Sequence, residues 1–99
     1  MPRPAKLSPE EVSSALTALP EWSVIDGKLH RTYNFPDFTH AFSFMSAIAI
    51  VAEKMDHHPD WSNVYKQVTV DLSTHDAGGI TRLDFQLAES METLAKKLR

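Results

Sequence analysis

Asp37-Phe38-Thr39-His40-Ala41-Phe42-Ser43-Phe44-Met45-Ser46-Ala47-Ile48-Ala49-Ile50-Val51-Ala52-Glu53-Lys54-Met55-Asp56 is the stretch on which the fold turns. Phe38, Ala41, Phe42, Met45, Ile48, Ala49, Ala52 and Met55 recur at the spacing of one helical face. Phe44, Ala47 and Val51 form a second stripe beside it. A helix this apolar is expected to be covered on more than one side, with Phe44, Ala47 and Val51 meeting another subunit. It must end by His57, because Pro59 drives His58 out of the α region.

Downstream, Val64 to His75 reads as one long strand. Val64, Val68, Val70 and Leu72 alternate with Tyr65, Gln67, Thr69, Asp71 and Ser73, as in a sheet with one covered and one wetter face. His75 has the wet-face parity at the strand's end. Ala77-Gly78-Gly79 is a turn. Thr81 then caps a last helix, with Asp84 as its capping-box partner. Leu83, Leu87, Met91, Leu94 and Leu98 line that helix, and Lys96, Lys97 and Arg99 complement its dipole.

Upstream, Ser8, Pro9 and Glu11 are a helix start with a capping box, and Leu7 and Val12 are placed for a hydrophobic staple. Val12, Ala15, Leu16 and Leu19 share a face, and Pro20 is expected to stop the helix near residue 19. Trp22 to Ile25 and Leu29 to Phe35 read as strands joined by Asp26-Gly27, a two-residue hairpin signal. Arg31 breaks the parity shared by Leu29, Tyr33 and Phe35. The order predicts an α+β fold: a largely antiparallel sheet of three to four strands with three helices packed on one face.

Ninety-nine residues suit a single domain, 1–99. A chain of this size buries only about 60–70% of its unfolded surface, so oligomerisation would help it. Hydrophobic content of 42% against 23% charged residues is that of a globular protein. A net charge of −3 argues against a broad nucleic-acid-binding face. The absence of cysteine removes disulfides, zinc–thiolate sites and thiol nucleophiles. Met1-Pro2-Arg3-Pro4 has no apolar signal core behind it, and Ala47 to Ala52 is too short to span a bilayer. A cytoplasmic protein is expected.

The chemistry gathers at Glu53-Lys54-Met55-Asp56-His57-His58-Pro59-Asp60-Trp61, answered by His75. Imidazole titrates near neutral pH, so a His-His pair at a helix end suits proton transfer. The helix C-terminus carries partial negative charge, a suitable place for a cation. Metal ligation is the weaker alternative, because adjacent histidines rarely aim at one ion and the i, i+4 spacing of a helical zinc motif is missing. Capping of the helix carbonyls is the plain structural alternative. His30 and His40 belong to that structural class. Trp61 reads as a core or rim aromatic, and Glu53 as solvated or paired with a neighbour. No Ser-His-Asp order, phosphate loop or dinucleotide fingerprint is present.

These residues, with Asn63-Val64-Tyr65, Ser73-Thr74-His75-Asp76 and Gly79-Ile80-Thr81, closely resemble the pterin-4a-carbinolamine dehydratase family. Order and spacing agree from residue 53 to residue 84, and Phe38 to Met45 and the last helix are similar too. The resemblance implies dehydration of 4a-hydroxytetrahydropterin to the quinonoid dihydropterin, which a reductase recycles. It implies that His57, His58 and His75 are catalytic. It also implies that Pro59 and the segment holding Thr74, Asp76 and Ala77 contact the pterin, with Glu53 and Asp84 as acidic positions near it. No metal and no organic cofactor are implied. Dimers or tetramers are implied, and so is a second class of function: some animal members bind a dimeric transcription factor through a helical surface, which makes the nucleus the alternative compartment.

Overall fold

Ser8 starts the first helix with the bonds its sequence requires. Its hydroxyl accepts from the Glu11 amide at 3.1 Å, and Glu11 Oε1 accepts from the Ser8 amide at 2.8 Å. The Ser8 amide and then its hydroxyl hold the Glu11 carboxyl below its usual range. Helix α1 runs Pro9–Leu16, shorter than expected. Ala18 N–H bonds Ala15 O and Leu19 N–H bonds Leu16 O, so the chain tightens into i→i+3 turns before Pro20 is reached. The computed structural model describes residues 4–99; Met1, Pro2 and Arg3, where the leader reading begins, lie outside the described residues.

Strands β1 (Ser23–Ile25) and β2 (Lys28–Asn34) form the expected hairpin. Ile25 sits opposite Lys28, and Asp26 and Gly27 take φ of 52° and 75°, the two positive values of a type I′ turn. Helix α2 spans Phe38–Met55. Asp37 caps it by accepting from His40 N at 2.8 Å. At the other end Asp56 adopts the left-handed conformation, φ 52°, and His57 N–H reaches back to Ala52 O at 3.0 Å.

The single strand expected from Val64 to His75 is instead a hairpin followed by a short 3-10 turn. β3 is Asp60–Val64, β4 is Gln67–Leu72, and the 3-10 turn is His75–Ala77. Tyr65, at φ 54°, makes the turn without glycine. Asn63 Nδ2 covers it by donating to Tyr65 O and Gln67 O, both at 2.9 Å. A two-residue loop swaps odd for even between the strands it joins: Val64 pairs with Gln67 and shares its face, so the common parity of Val64, Val68 and Val70 does not mark one face. Val64 falls on the open face, 71% exposed, while Val68 is buried.

The sheet order is β1-β2-β4-β3, every pairing antiparallel. Leu29 opposite Leu72 and Tyr33 opposite Val68 lie on the covered face. Arg31, opposite Val70, shares it. There its guanidinium stands 4.3 Å from the Tyr33 ring centroid, and Nη1 donates to Glu92 Oε1 at 2.6 Å. Tyr33 Oη donates to Glu92 Oε2 at 2.5 Å. Glu92 belongs to helix α3 (Arg82–Lys97), so the residue that spoils the strand pattern ties the sheet to a helix.

In α3, Phe85, Leu87, Ala88, Met91 and Ala95 are buried, while Leu83, Leu94 and Leu98 sit at the margin. In α2 the inward residues are Ala41, Phe44, Ile48 and Ala52. Phe44 is fully buried, its ring centroid 4.9 Å from Tyr33 and 5.0 Å from Phe35. The expected subunit contact through Phe44 is therefore wrong. The outward apolar residues are Phe38, Phe42 and Ile50, exposed by 47%, 55% and 72%. Twelve of the 18 positions of this helix are apolar, too many for one face, so periodicity admits more than one and only the neighbours select it. Among the described residues, no helix is long and apolar enough to cross a membrane.

Candidate active site

The left-handed turn at Asp56 decides where the two adjacent histidines go. His57 folds back toward the core and is 6% exposed, while the His58 side chain stays 58% exposed. His57 Nε2 lies 2.5 Å from Asp84 Oδ1. Asp84 is fully buried in the first turn of α3, where Oδ2 accepts from Thr81 N at 2.8 Å and from the Thr74 hydroxyl at 3.0 Å. A carboxylate taking two donors on one oxygen is an acceptor at the other, so Nε2–H of His57 donates. Nδ1 is left as the ring's remaining polar atom.

His58 Nε2 meets Glu53 Oε1 at 2.8 Å on the surface. Such an exposed pair contributes only about 0–1 kcal/mol, so it orients the ring rather than stabilising the fold. His75 comes from the 3-10 turn, not from a strand end, and is exposed. Thr74 anchors that turn through a bridge to Gly79: its N–H donates to Gly79 O at 2.8 Å, and its O accepts from Gly79 N at 3.3 Å. Gly78 takes φ 74° to close the loop.

His57, His58 and His75 converge on one cavity of about 170 Å³, with Thr74 and Asp76 also in its wall. Asp56 and Ser73 complete the lining; neither stood among the expected site residues. Ser73 was legible only as the residue before Thr74-His75, once the chain's exit from β4 is known to be the cavity rim. Glu53 stands outside the wall, behind His58. Pro59 and Ala77 are half-buried beside it, and Asp84 lies beneath it with no exposed surface.

Larger concavities lie elsewhere: about 530 Å³ along α3, lined by Gln86, Glu89 and Lys97, and about 460 Å³ between α1 and the Gly78–Gly79 loop. Neither holds an imidazole. His30 and His40 pair with Asp71 (2.9 Å) and Asp37 (2.6 Å), away from the cavity. Among the described residues, no three His, Asp or Glu side chains are grouped to hold a metal ion.

A four-stranded antiparallel sheet backed by three helices, with three imidazoles at the seam between α2 and β4, defines a compact α+β class. Residues 5–94 match the family model described as pterin 4 alpha carbinolamine dehydratase. The chain belongs to the pterin-4a-carbinolamine dehydratase family, a family of hydro-lyases. It is 58% identical over 90 residues to a Solibacter usitatus protein with the provisional name pterin-4-alpha-carbinolamine dehydratase, covering 91% of this chain and 95% of that one. A similarly named protein of Bradyrhizobium diazoefficiens is 52% identical over 93 residues, 92% of this chain and 93% of the other. The crystal structure of a Brucella melitensis protein described as a transcriptional coactivator/pterin dehydratase superposes with a TM-score of 0.88 at 43% identity, covering 91% of this chain and 98% of that chain.

Proposed function

We propose that the chain, acting as one domain over residues 1–99, dehydrates 4a-hydroxytetrahydrobiopterin to quinonoid dihydropterin, with His57, His58 and His75 as its proton-transfer groups. The observation that carries this reading is the gathering of three imidazoles on one cavity, one of them backed by a buried carboxylate. In the reaction the carbon–oxygen bond at the 4a position breaks, and the oxygen leaves as water after taking a proton from an acid. The lone pair of the adjacent ring nitrogen forms the new C=N bond, and that nitrogen's proton passes to a base. The nitrogen supplies the push, so the chemistry asks only for placed acids and bases, and no metal or organic cofactor. Such placement typically contributes about 10²–10⁴-fold.

Glu53 orients His58 in this scheme, and Asp84 positions His57. Asp76 and the backbone near Thr74 form the wall against the pterin, and Pro59 and Ala77 flank it. The product is one that a reductase returns to the tetrahydro state, so the activity serves tetrahydrobiopterin recycling in the cytoplasm.

The exposed Phe38, Phe42 and Ile50 support a homodimer or homotetramer packed through α2. The same surface supports a second reading, a dimerisation cofactor for a transcription factor, as the Brucella protein's description includes coactivator. The test is the decay of carbinolamine absorbance with purified protein. Acceleration by wild type, strongly weakened in His57→Ala and His58→Ala and insensitive to chelator, is expected. No acceleration by wild type would overturn the dehydratase reading. Recovery of a transcription factor by a catalytically silent protein would favour the second.

A further inference from the structure

Thr74 stands where the two halves of the site meet. The next residue, His75, is exposed on the cavity, whereas Thr74 is 3% exposed. Its backbone is fully engaged within the loop: N–H donates to Gly79 O, and O accepts from Ala77 N at 3.1 Å and Gly79 N at 3.3 Å. Its hydroxyl donates to Asp84 Oδ2 at 3.0 Å and lies 2.7 Å from Thr81 Oγ1.

A hydroxyl has one hydrogen. That of Thr74 is on Asp84, so Thr81 is the donor between the two threonines. Thr81 Oγ1 in turn accepts from Leu83 N at 3.2 Å. The donors therefore run one way: the Leu83 amide to Thr81, Thr81 to Thr74, and Thr74 to Asp84. The Thr81 amide also reaches Asp84 Oδ2, and the chain ends at His57 on Oδ1.

We propose that Thr74 is a positioning residue for His57. Its hydroxyl, held by Thr81, fixes the rotamer of Asp84 and through it the ring of His57. Its backbone bridge to Gly79 ties the same anchor to the turn that carries His75. One side chain thus sets the placement of two imidazoles that arise from different elements. This rests on the reading above, in which His57 and His75 serve one substrate. The Thr74 hydroxyl has no hydrogen left to donate to a ligand and the residue is 3% exposed, so its contribution is to geometry rather than to substrate contact.

The test compares Thr74→Val, which keeps the shape and removes the hydroxyl, with Thr74→Ser, which keeps the hydroxyl. Three quantities are read: kcat and KM for the carbinolamine, folding by circular dichroism, and the ring ¹⁵N signals of His57. Outer groups that orient metal-bound imidazoles are typically worth about 10–100-fold, and the same scale is expected for a group that orients His57. Folded Thr74→Val is expected to lose roughly tenfold in kcat at nearly constant KM, with Thr74→Ser restoring the rate. The His57 ring should change from one Nε2–H tautomer to a mixture in Thr74→Val alone. A rise in KM with kcat unchanged would assign the hydroxyl to substrate contact and overturn the proposal. Unchanged kcat in folded Thr74→Val would reduce it to a helix cap and also overturn it. Should wild type fail to catalyse, the ring signals decide by themselves, and identical spectra in wild type and Thr74→Val refute positioning. Should Thr74→Val not fold, Thr74→Cys, a weak donor, replaces it with the same readouts and outcomes.

Discussion

His57 Nε2 and Asp84 Oδ1 stand 2.5 Å apart across 27 residues of sequence. The contact joins the end of α2 to the first turn of α3, and both partners are buried. Asp84 is at once the capping-box acceptor of α3 and the partner that orients an imidazole. One carboxylate therefore serves folding and the site together.

Asp84→Asn separates the two duties. The amide oxygen can still accept from Thr81 N–H and Thr74 O–H. The amide nitrogen then faces His57 Nε2 with hydrogens, and the ring must switch to its Nδ1–H tautomer. A protein that stays folded with kcat lower by roughly 10²-fold or more is expected, on the scale of a lost acid–base group. Circular dichroism and carbinolamine kinetics check this; a fully active variant would show that the tautomer of His57 is immaterial.

Phe44 and Phe42 lie two residues apart on α2 with opposite fates. Phe44→Ala empties a fully buried position and should destabilise the subunit by about 3–5 kcal/mol in urea unfolding. Phe42→Ala should change subunit stability by less than about 0.5 kcal/mol. Instead it should shift the sedimentation profile toward smaller species. A monomeric wild type would remove the need for a partner on that stripe.

Tyr65 holds a left-handed backbone at φ 54° with an exposed side chain. A non-glycine residue there carries roughly 1–2 kcal/mol of strain. Glycine relieves it but loses about 0.5–1 kcal/mol of chain entropy. Tyr65→Gly should raise stability by about 0.5–1 kcal/mol in urea unfolding, whereas Tyr65→Val should lower it.

Burial, then the bond to Glu92 and its charge, push the Tyr33 phenol well above its ordinary value, against the pull of Arg31. The folded protein therefore holds the phenolic proton more tightly than the unfolded chain. The associated stability is complete below the unfolded phenol's value of about 10. It is lost as pH rises from there toward the folded value. Tyr33→Phe should flatten the alkaline limb of the stability–pH curve, as measured by urea midpoints between neutral pH and pH 11. A limb as steep as in wild type would place the alkaline sensitivity elsewhere.

Local chemistry wrote much of this fold legibly. Ser8 with Glu11 and Thr81 with Asp84 each contain both partners of a short-range bond, Asp26-Gly27 supplies the positive φ its turn requires, and each sits where expected. The β3–β4 turn was hidden because Tyr65 supplies no glycine signal and Asn63 covers the turn from two residues away. The α2 face was misjudged for a different reason. Phe42 and Phe44 are chemically equivalent, and the helix alone does not say where the sheet lies.

The candidate site divides along the same line. Residue identity and short spacing in the sequence marked His57, His58 and His75 as chemical, and Pro59 as the limit of the helix before them. Only the tertiary structure buried His57 and exposed His58, placed His75 on a 3-10 turn across the cavity, and set Asp84 behind one ring. Those outcomes depend on contacts between residues far apart in the chain, and a buried carboxylate declares its partner only when the fold brings one within reach.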